Sequence, residues 1–347
     1  MTISTPALEA PSPTDVKRLG NAFCHAKLLL TAAEIGLFEE LERKGPGTVQ
    51  ELSERTGIHP RAARDFLHGL VLLGLLTKED DRYGNSSVAA ATLVPGAADY
   101  IGGFLHRANH MLYPAWGKLS QAITTGKPQT PGAGNDGAFL RMLGDPKQRA
   151  QYVRMMDSAN GLVAPHLADA YDWGSVDRVL DIGGCRGNLV SQLLLRYLNL
   201  TATVFDLEPL VSEFVAHTTA LGVNARASFV SGDFFTDQPL PKADAVIMGH
   251  VLHNWTPEQR AYLVAKAYDA VVPGGALLIY DAMLPEEPTD LPRVLVSINM
   301  LLVTDGGSEY TAAEAREWLA AAGAANIEAK PLGSTDTLLI ARKTEHA

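Results

Sequence analysis

Cysteine is scarce in this chain, with Cys24 and Cys185 the two among 347 residues. They lie far apart, which argues against a disulfide framework and a cysteine-ligated zinc site and fits a reducing compartment. Positive charge is short as well. Lys and Arg number 29 against 39 Asp and Glu, a net charge of −10, so the basic footprint of a nucleic-acid binder is missing. Long apolar runs are also lacking; none nears the roughly 18 residues that span a bilayer. The opening MTISTPALEAPSPTD has neither the basic nor the apolar region of a secretion signal, so no membrane partner and a cytoplasmic location are expected. What remains is ordinary globular material, 46% apolar and 20% charged, in a length that suggests two domains or one large one with an appendage.

Residues 1–14 read as a disordered Pro-rich tail. Residues 15–100 read as helical, with the texture of a winged-helix unit. LLLTAAEIGLFEEL has helical apolar spacing and stops near Gly45. Thr48 and Glu51 have capping-box spacing, and Gly57 closes that helix. Pro60 starts RAARDFLHGLVLLGLL, and TKEDDRYGNS looks like a short wing. Ten Lys and Arg against twelve Asp and Glu in this region argue against DNA contact. Its Leu-rich helices suit a homodimer interface instead. Residues 101–175 read as a helical, aromatic-rich layer broken by the loop TTGKPQTPGAGNDG and able to roof a cavity.

Residues 176–347 alternate strand and helix, which predicts a mostly parallel, doubly wound sheet with ligands at the carboxyl ends of its strands. NIEAKPLG and DTLLIARK have no helix between them, so they must form an antiparallel hairpin. A doubly wound sheet ending in such a hairpin is the layout of class I methyltransferases rather than of dehydrogenases.

The loop LDIGGCRGNL follows the first of these strands. Gly183, Gly184 and Gly187 let backbone approach a ligand closely. The dinucleotide spacing G-x-G-x-x-G fails, and D-x-G-x-x-x-G from Asp181 fits. Asp206 ends the next strand, 19 residues after Gly187, where a carboxylate can accept both hydroxyls of a ribose. Asp233, in SGDFF, is placed to accept an adenine amino group, with Phe234 and Phe235 beside the ring. GHVLHNW brings His250 and His253 off the fourth strand, and a histidine suits a general base for a phenol. His250, His253 and Asp281 would make a metal set, but a further ligand at fixed spacing is lacking and no metal is expected.

LDIGGCRG, VFDL, GDFF, HVLHNW and TDGGSEYT, in this order over nearly the whole chain, resemble the small-molecule O-methyltransferase family. That family includes plant phenylpropanoid enzymes, bacterial antibiotic-decorating enzymes and aromatic C-methyltransferases. Cys185 stands where its glycine motif has a third glycine. The resemblance implies S-adenosylmethionine as methyl donor, a homodimer and a small aromatic substrate. It implies that His253 is the base, flanked by Asp281, where plant members carry Glu, and by Glu309. Tyr310 stands where the family has Arg. By the same matching Trp255 would pack near the adenine. Met156, Asn160 and Leu207 would face the donor, and Tyr152, His250, Met300 and Thr304 the substrate. O-methylation in specialised metabolism is favoured. Methylation of ring carbon ortho to a hydroxyl, pericyclic or hydroxylation chemistry with the donor kept, and a ligand-sensing regulator are the other readings.

Overall fold

Ser12 caps the first helix and Asp15 returns the bond, the Asp15 carboxylate accepting the Ser12 amide at 3.1 Å. The computed structural model describes residues 11–97, 99–130 and 137–345. The helix α1 (Pro13–Gly20) therefore begins inside the expected tail, and residues 1–10 lie outside the described residues. The chain divides after Asn109 into two units, further along than the boundary expected at residue 100.

The first unit carries α2 (Ala22–Glu34), α3 (Leu37–Lys44), β1 (Gly47–Thr48), α4 (Val49–Thr56) and α5 (Pro60–Leu72). After these come β2 (Leu76–Glu79), β3 (Arg82–Asn85), α6 (Ser87–Thr92) and α7 (Gly102–Arg107). The single run read across LLLTAAEIGLFEEL is two helices, because Gly36 turns the chain at φ 68 and starts α3. The run from Pro60 likewise ends at Leu72, so Leu76 enters β2 instead of continuing the helix. The Thr48–Glu51 capping box and the Gly57 cap form as the spacing predicts. The expected wing is the β2–β3 hairpin, and β1 adds to it a third antiparallel strand.

The second unit opens with α8 (Tyr113–Trp116), α9 (Leu119–Thr125), α10 (Ala138–Gly144) and the long α11 (Pro146–Ala170). Part of the loop read between α9 and α10, residues 131–136, lies outside the described residues. The alternating region then runs β4 (Arg178–Ile182), α12 (Asn188–Arg196), β5 (Thr201–Asp206), α13 (Val211–Ala220), β6 (Ala227–Ser231) and β7 (Ala243–Gly249). It ends with α14 (Pro257–Ala270), β8 (Val271–Asp281), α15 (Leu291–Val303), α16 (Ala312–Ala321), β9 (Asn326–Leu332) and β10 (Asp336–Arg342).

The seven strands lie in the order β6-β5-β4-β7-β8-β10-β9. The first five are parallel, and β10 runs antiparallel to both β8 and β9, as the missing crossover helix requires. Both faces are covered, so alternate residues of one strand enter different cores. Val179, Ile247, Leu278 and Tyr280 pack under α11, α12 and α13. Leu180, Val246, Met248 and Ile279 pack under α14 and α16. Strand order reverses between β4 and β7, which opens a crevice at their carboxyl ends.

Candidate active site

The loop after β4 crosses this crevice with left-handed backbone at three alternate positions. These are Gly183 (φ 76), Cys185 (φ 52) and Gly187 (φ 75). Cys185 thus occupies the conformation for which a glycine is the cheaper residue, at a cost of about 1–2 kcal/mol. Its side chain offsets part of that cost by filling a cluster with Leu143, Val153 and Leu210. A Cβ on Gly184 would lie 2.5 Å from the Asp181 carboxylate, so the loop folds directly over this buried acid.

Asp181 Oδ2 is buried and has no hydrogen-bond partner among the described residues. Burial and the neighbouring Asp206 charge push its carboxyl up to about 7. Asp206 is raised to about 6, chiefly by burial and against two hydrogen bonds that favour the anion. Those bonds come from the amides of Cys185 and Leu207, each 2.7 Å away. An orphaned acid and a second, partly buried carboxylate beside a small-residue loop fit a ligand carrying an amino acid and a ribose. Met156 and Leu207, expected at the donor, and Tyr152 pack against the cluster that holds Cys185, and Asn160 is buried one turn beyond Met156 on α11. Tyr152, read as facing substrate, lies against the cluster beside the Gly183–Gly187 loop.

Asp233 is exposed and two residues beyond the end of β6, where its Oδ1 accepts the Phe235 amide at 2.8 Å. Trp255 meets Phe234 and Phe235 edge-on, ring centres 5.7 and 4.6 Å away. The three rings form one aromatic corner.

The chemistry gathers beyond β7 and β8. His253 stands on a single 3₁₀ turn, Leu252–Asn254, which Asn254 holds by donating to the carbonyls of His250 and Val251 at 3.1 Å. His253 Nδ1 lies 2.7 Å from Glu309 Oε1 and 3.1 Å from Asp281 Oδ1. Both carboxylates are buried, and burial is the largest cause that raises Asp281 to about 6 and Glu309 to about 7. Tyr310 donates its hydroxyl to Asp281 Oδ2 at 2.6 Å. Burial and the Asp281 charge hold that phenol well above its ordinary value, so it remains a donor.

His250 takes φ 53 and its Nε2 lies 3.0 Å from Asp336 Oδ2 at the start of β10. Met300 is buried on α15, and Thr304 Oγ1 donates to the Met300 carbonyl and accepts the Gly307 amide at 2.9 Å. Thr304 thereby shapes the turn leading to Glu309. Sequence reasoning missed Asp336, Arg260 and the Tyr310 contact. A charged residue on the inward side of α14, beside the apolar Leu263, Val264 and Ala267, is the signal that could have found Arg260.

Residues 116–325 match the model of the O-methyltransferase domain family, and residues 18–95 match the O-methyltransferase dimerisation domain. The tetracenomycin polyketide synthesis 8-O-methyl transferase TcmO of Streptomyces glaucescens is 41% identical over 98% of this chain and 99% of its own. The N,N-dimethyltransferase OxyT of Streptomyces rimosus is 36% identical over 92% and 93%. Human N-acetylserotonin methyltransferase, solved in complex with S-adenosylmethionine, superposes with a TM-score of 0.88 at 26% identity, covering 98% of this chain and 100% of that one. The chain belongs to the O-methyltransferase family and is an S-adenosylmethionine-dependent methyltransferase of class I fold with an N-terminal dimerisation domain.

Proposed function

We propose that this enzyme methylates a phenolic hydroxyl of an aromatic polyketide-type small molecule in specialised metabolism, with His253 as general base. The observation that carries this is the placement of His253 Nδ1 at 2.7 Å from Glu309 and 3.1 Å from Asp281. A base whose far nitrogen is fixed by carboxylates has one tautomer and one orientation. With Nδ1 directed at the acids, Nε2 takes the phenol proton. The phenolate oxygen would then bond to the methyl carbon of the donor as that carbon's bond to sulfur breaks, the electron pair leaving with sulfur as a neutral thioether, and the carboxylates stabilise the imidazolium that results. Bound S-adenosylmethionine supplies an electrophilic methyl group on sulfur. Gly183, Gly184, Gly187 and Asp181 would hold its amino acid end and Asp206 its ribose. Asp233, Phe234 and Trp255 would flank the adenine, with Met156, Asn160 and Leu207 closing the wall. Much of the acceleration comes from alignment, since effective molarities of well-oriented groups reach on the order of 10⁵ M or more.

The relative named as an 8-O-methyl transferase of tetracenomycin polyketide synthesis supports oxygen as acceptor. The relative named as an N,N-dimethyltransferase supports an amine as the second reading. Incubation with methyl-labelled donor and a panel of polycyclic phenols and aromatic amines, with the product atom located by NMR, decides between them. Label on nitrogen or ring carbon overturns the phenol reading. His253, Asp281 and Glu309 also have the geometry of a three-ligand metal cluster, their ligand atoms within 4.8 Å of one another. Turnover that a chelator abolishes and zinc restores would favour that arrangement. The dimerisation domain together with the exposed Val16, Leu19 and Phe23 supports a homodimer as the working form.

A further inference from the structure

The proposed base and its two carboxylates come from three separate stretches of chain. Asp281 ends β8, His253 lies on the turn after β7, and Glu309 lies in the segment between α15 and α16. Backbone bonds tie these stretches together beside the reacting groups, the His250 amide donating to the Tyr280 carbonyl at 2.9 Å and the Leu284 amide to the Tyr310 carbonyl at 2.8 Å. One buried side chain touches two of the three. Arg260, 2% exposed on the first turn of α14, donates from Nε to the Leu252 carbonyl at 3.1 Å. From Nη2 it donates to the Ser308 carbonyl at 2.7 Å and to Ser308 Oγ at 2.9 Å. Leu252 precedes His253, and Ser308 precedes Glu309.

The same guanidinium lies 5.2 Å from the ring centre of Tyr310 and 5.8 Å from that of Trp318. Tyr310 passes the connection on, through its hydroxyl, to Asp281. Arg260 is itself fixed, because Thr256 and Gln259 cap α14 reciprocally and the Arg260 amide donates to the Thr256 carbonyl at 2.9 Å. The segment it grips lies directly against the His253 turn. A Cβ on Gly307 would collide with the His253 carbonyl oxygen and reach 3.0 Å from the Asn254 carbonyl carbon. The two stretches touch with no side chain between them, and Arg260 is the cross-brace beside that contact.

We propose that Arg260 is a positioning residue for methyl transfer, setting the His253–Glu309 distance by bridging the backbone next to each, with Tyr310 extending the brace to Asp281. The brace places a buried cation on α14, while Tyr310 occupies the position where the resemblance led one to expect Arg. The proposal rests on the reading of His253 as base.

The test compares Arg260→Ala, Arg260→Lys, His253→Ala and the double variant His253→Ala/Arg260→Ala. A lysine keeps the charge but lacks the planar fork that serves both carbonyls. The readouts are kcat and KM with the best phenol of the panel, their pH dependence, and affinity for S-adenosylhomocysteine by calorimetry. The imidazole signal of His253 in ¹⁵N-histidine NMR of that complex, assigned by its loss in His253→Ala, is the fourth.

Misplacing a reacting group by about 1 Å costs on the order of 10²-fold. Both Arg260 variants should therefore lose roughly 10–10³-fold in kcat. They should keep product-nucleoside affinity within about twofold, shift the His253 signal and recover rate at alkaline pH. In the His253→Ala background the Arg260 change should add little, because the residue acts through that histidine. Unchanged kcat in a folded Arg260→Ala overturns the proposal. So does a full additional loss in the double variant, or a loss of nucleoside affinity with an unmoved histidine signal. If Arg260→Ala does not fold, Arg260→Lys decides by the same readouts. Full activity in His253→Ala instead removes the base reading and the proposal with it. An impaired His253→Ala beside a normal Arg260→Lys removes the brace alone.

Discussion

The imidazole of His250 lies parallel to that of His253, their planes 5° apart and their centres separated by 5.8 Å. Burial alone would depress His250, but its bond to Asp336 and the charges of Asp336, Asp281 and Glu309 outweigh that and raise it to about 9. A cation thus sits beside the proposed base, coupled to the charges of Asp281 and Glu309. It stabilises the negative charge that Asp281 and Glu309 carry when ionised, which a buried pair of acids otherwise tolerates poorly.

That cation makes folding stability depend on pH in a window of its own. A folded value above the unfolded one stabilises fully below about 6.5 and is lost as pH rises through about 9. Asp181, Asp281 and Glu309 are raised too, but their contribution is already lost by about pH 7. Thermal unfolding of the ligand-free enzyme should therefore show a stability decline between pH 7 and 9 of at most ~3 kcal/mol. In His250→Gln that decline should flatten. An equally steep fall in the variant would assign the window to other groups.

His253→Ala should cost roughly 10²–10⁴-fold in kcat while leaving donor affinity intact. Its residual rate should climb at alkaline pH, where the phenol ionises without help. A pH–rate profile beside a donor titration checks both. Loss of donor binding together with rate, and no alkaline recovery, would mean that the ring only packs.

Asp206→Ala should weaken S-adenosylhomocysteine by about 1–3 kcal/mol, the range for losing hydrogen bonds to a buried partner. The amides of Cys185 and Leu207 lose their acceptor in the same variant. Asp206→Asn retains an acceptor oxygen and should lose less. Calorimetry with equal affinity for all three proteins would take Asp206 out of the donor site.

Asp181→Asn should act in opposite directions on folding and on binding. The acid is buried with an unpartnered oxygen and ionises at about 7, so above that pH it carries an uncompensated charge. Removing the charge should raise stability at pH 8 by about 1–3 kcal/mol and lower donor affinity. Denaturant melts with and without S-adenosylhomocysteine measure both. A variant that is less stable without ligand would contradict the assignment.

Light scattering at micromolar concentration should give twice the 37.1 kDa chain mass. Leu19 and Phe23, 74% and 58% exposed in the single chain, present apolar surface suited to a partner copy. Leu19→Glu/Phe23→Glu should then yield a folded monomer. A wild-type monomer, or a double variant that stays dimeric, would place the interface elsewhere.

The parallel sheet and its terminal hairpin were legible because strands buried on both faces read as continuous apolar runs, and a missing helix leaves two strands one way to pair. That His253 and the two carboxylates Asp281 and Glu309 come together was legible through motif order. Helix ends were less so. Hydrophobic spacing continues across Gly36 and Gly74, and left-handed backbone at φ 68 and φ 73 stops the helices regardless. Arg260, Asp336 and Ser308 act through contacts 48 and 86 residues away in sequence, a separation that local pattern does not encode. Cys185 shows the reverse. Its departure from the glycine pattern was visible, yet only the φ of 52 and the packing against Leu143 and Leu210 reveal how it is accommodated.

Because β10 runs opposite to its neighbour β8, it starts where the parallel strands finish, with Thr337 across from Asp281. The tight link between Leu332 and Asp336 consequently delivers an acid to His250 from the far end of the chain. One residue inserted into that link, if the strand slipped to absorb it, would exchange the inward and outward faces of β10 and withdraw Asp336. The length of a surface turn is thereby a dial on the charge state beside the proposed base, and variation there can retune the chemistry while His253, Asp281 and Glu309 stay as they are.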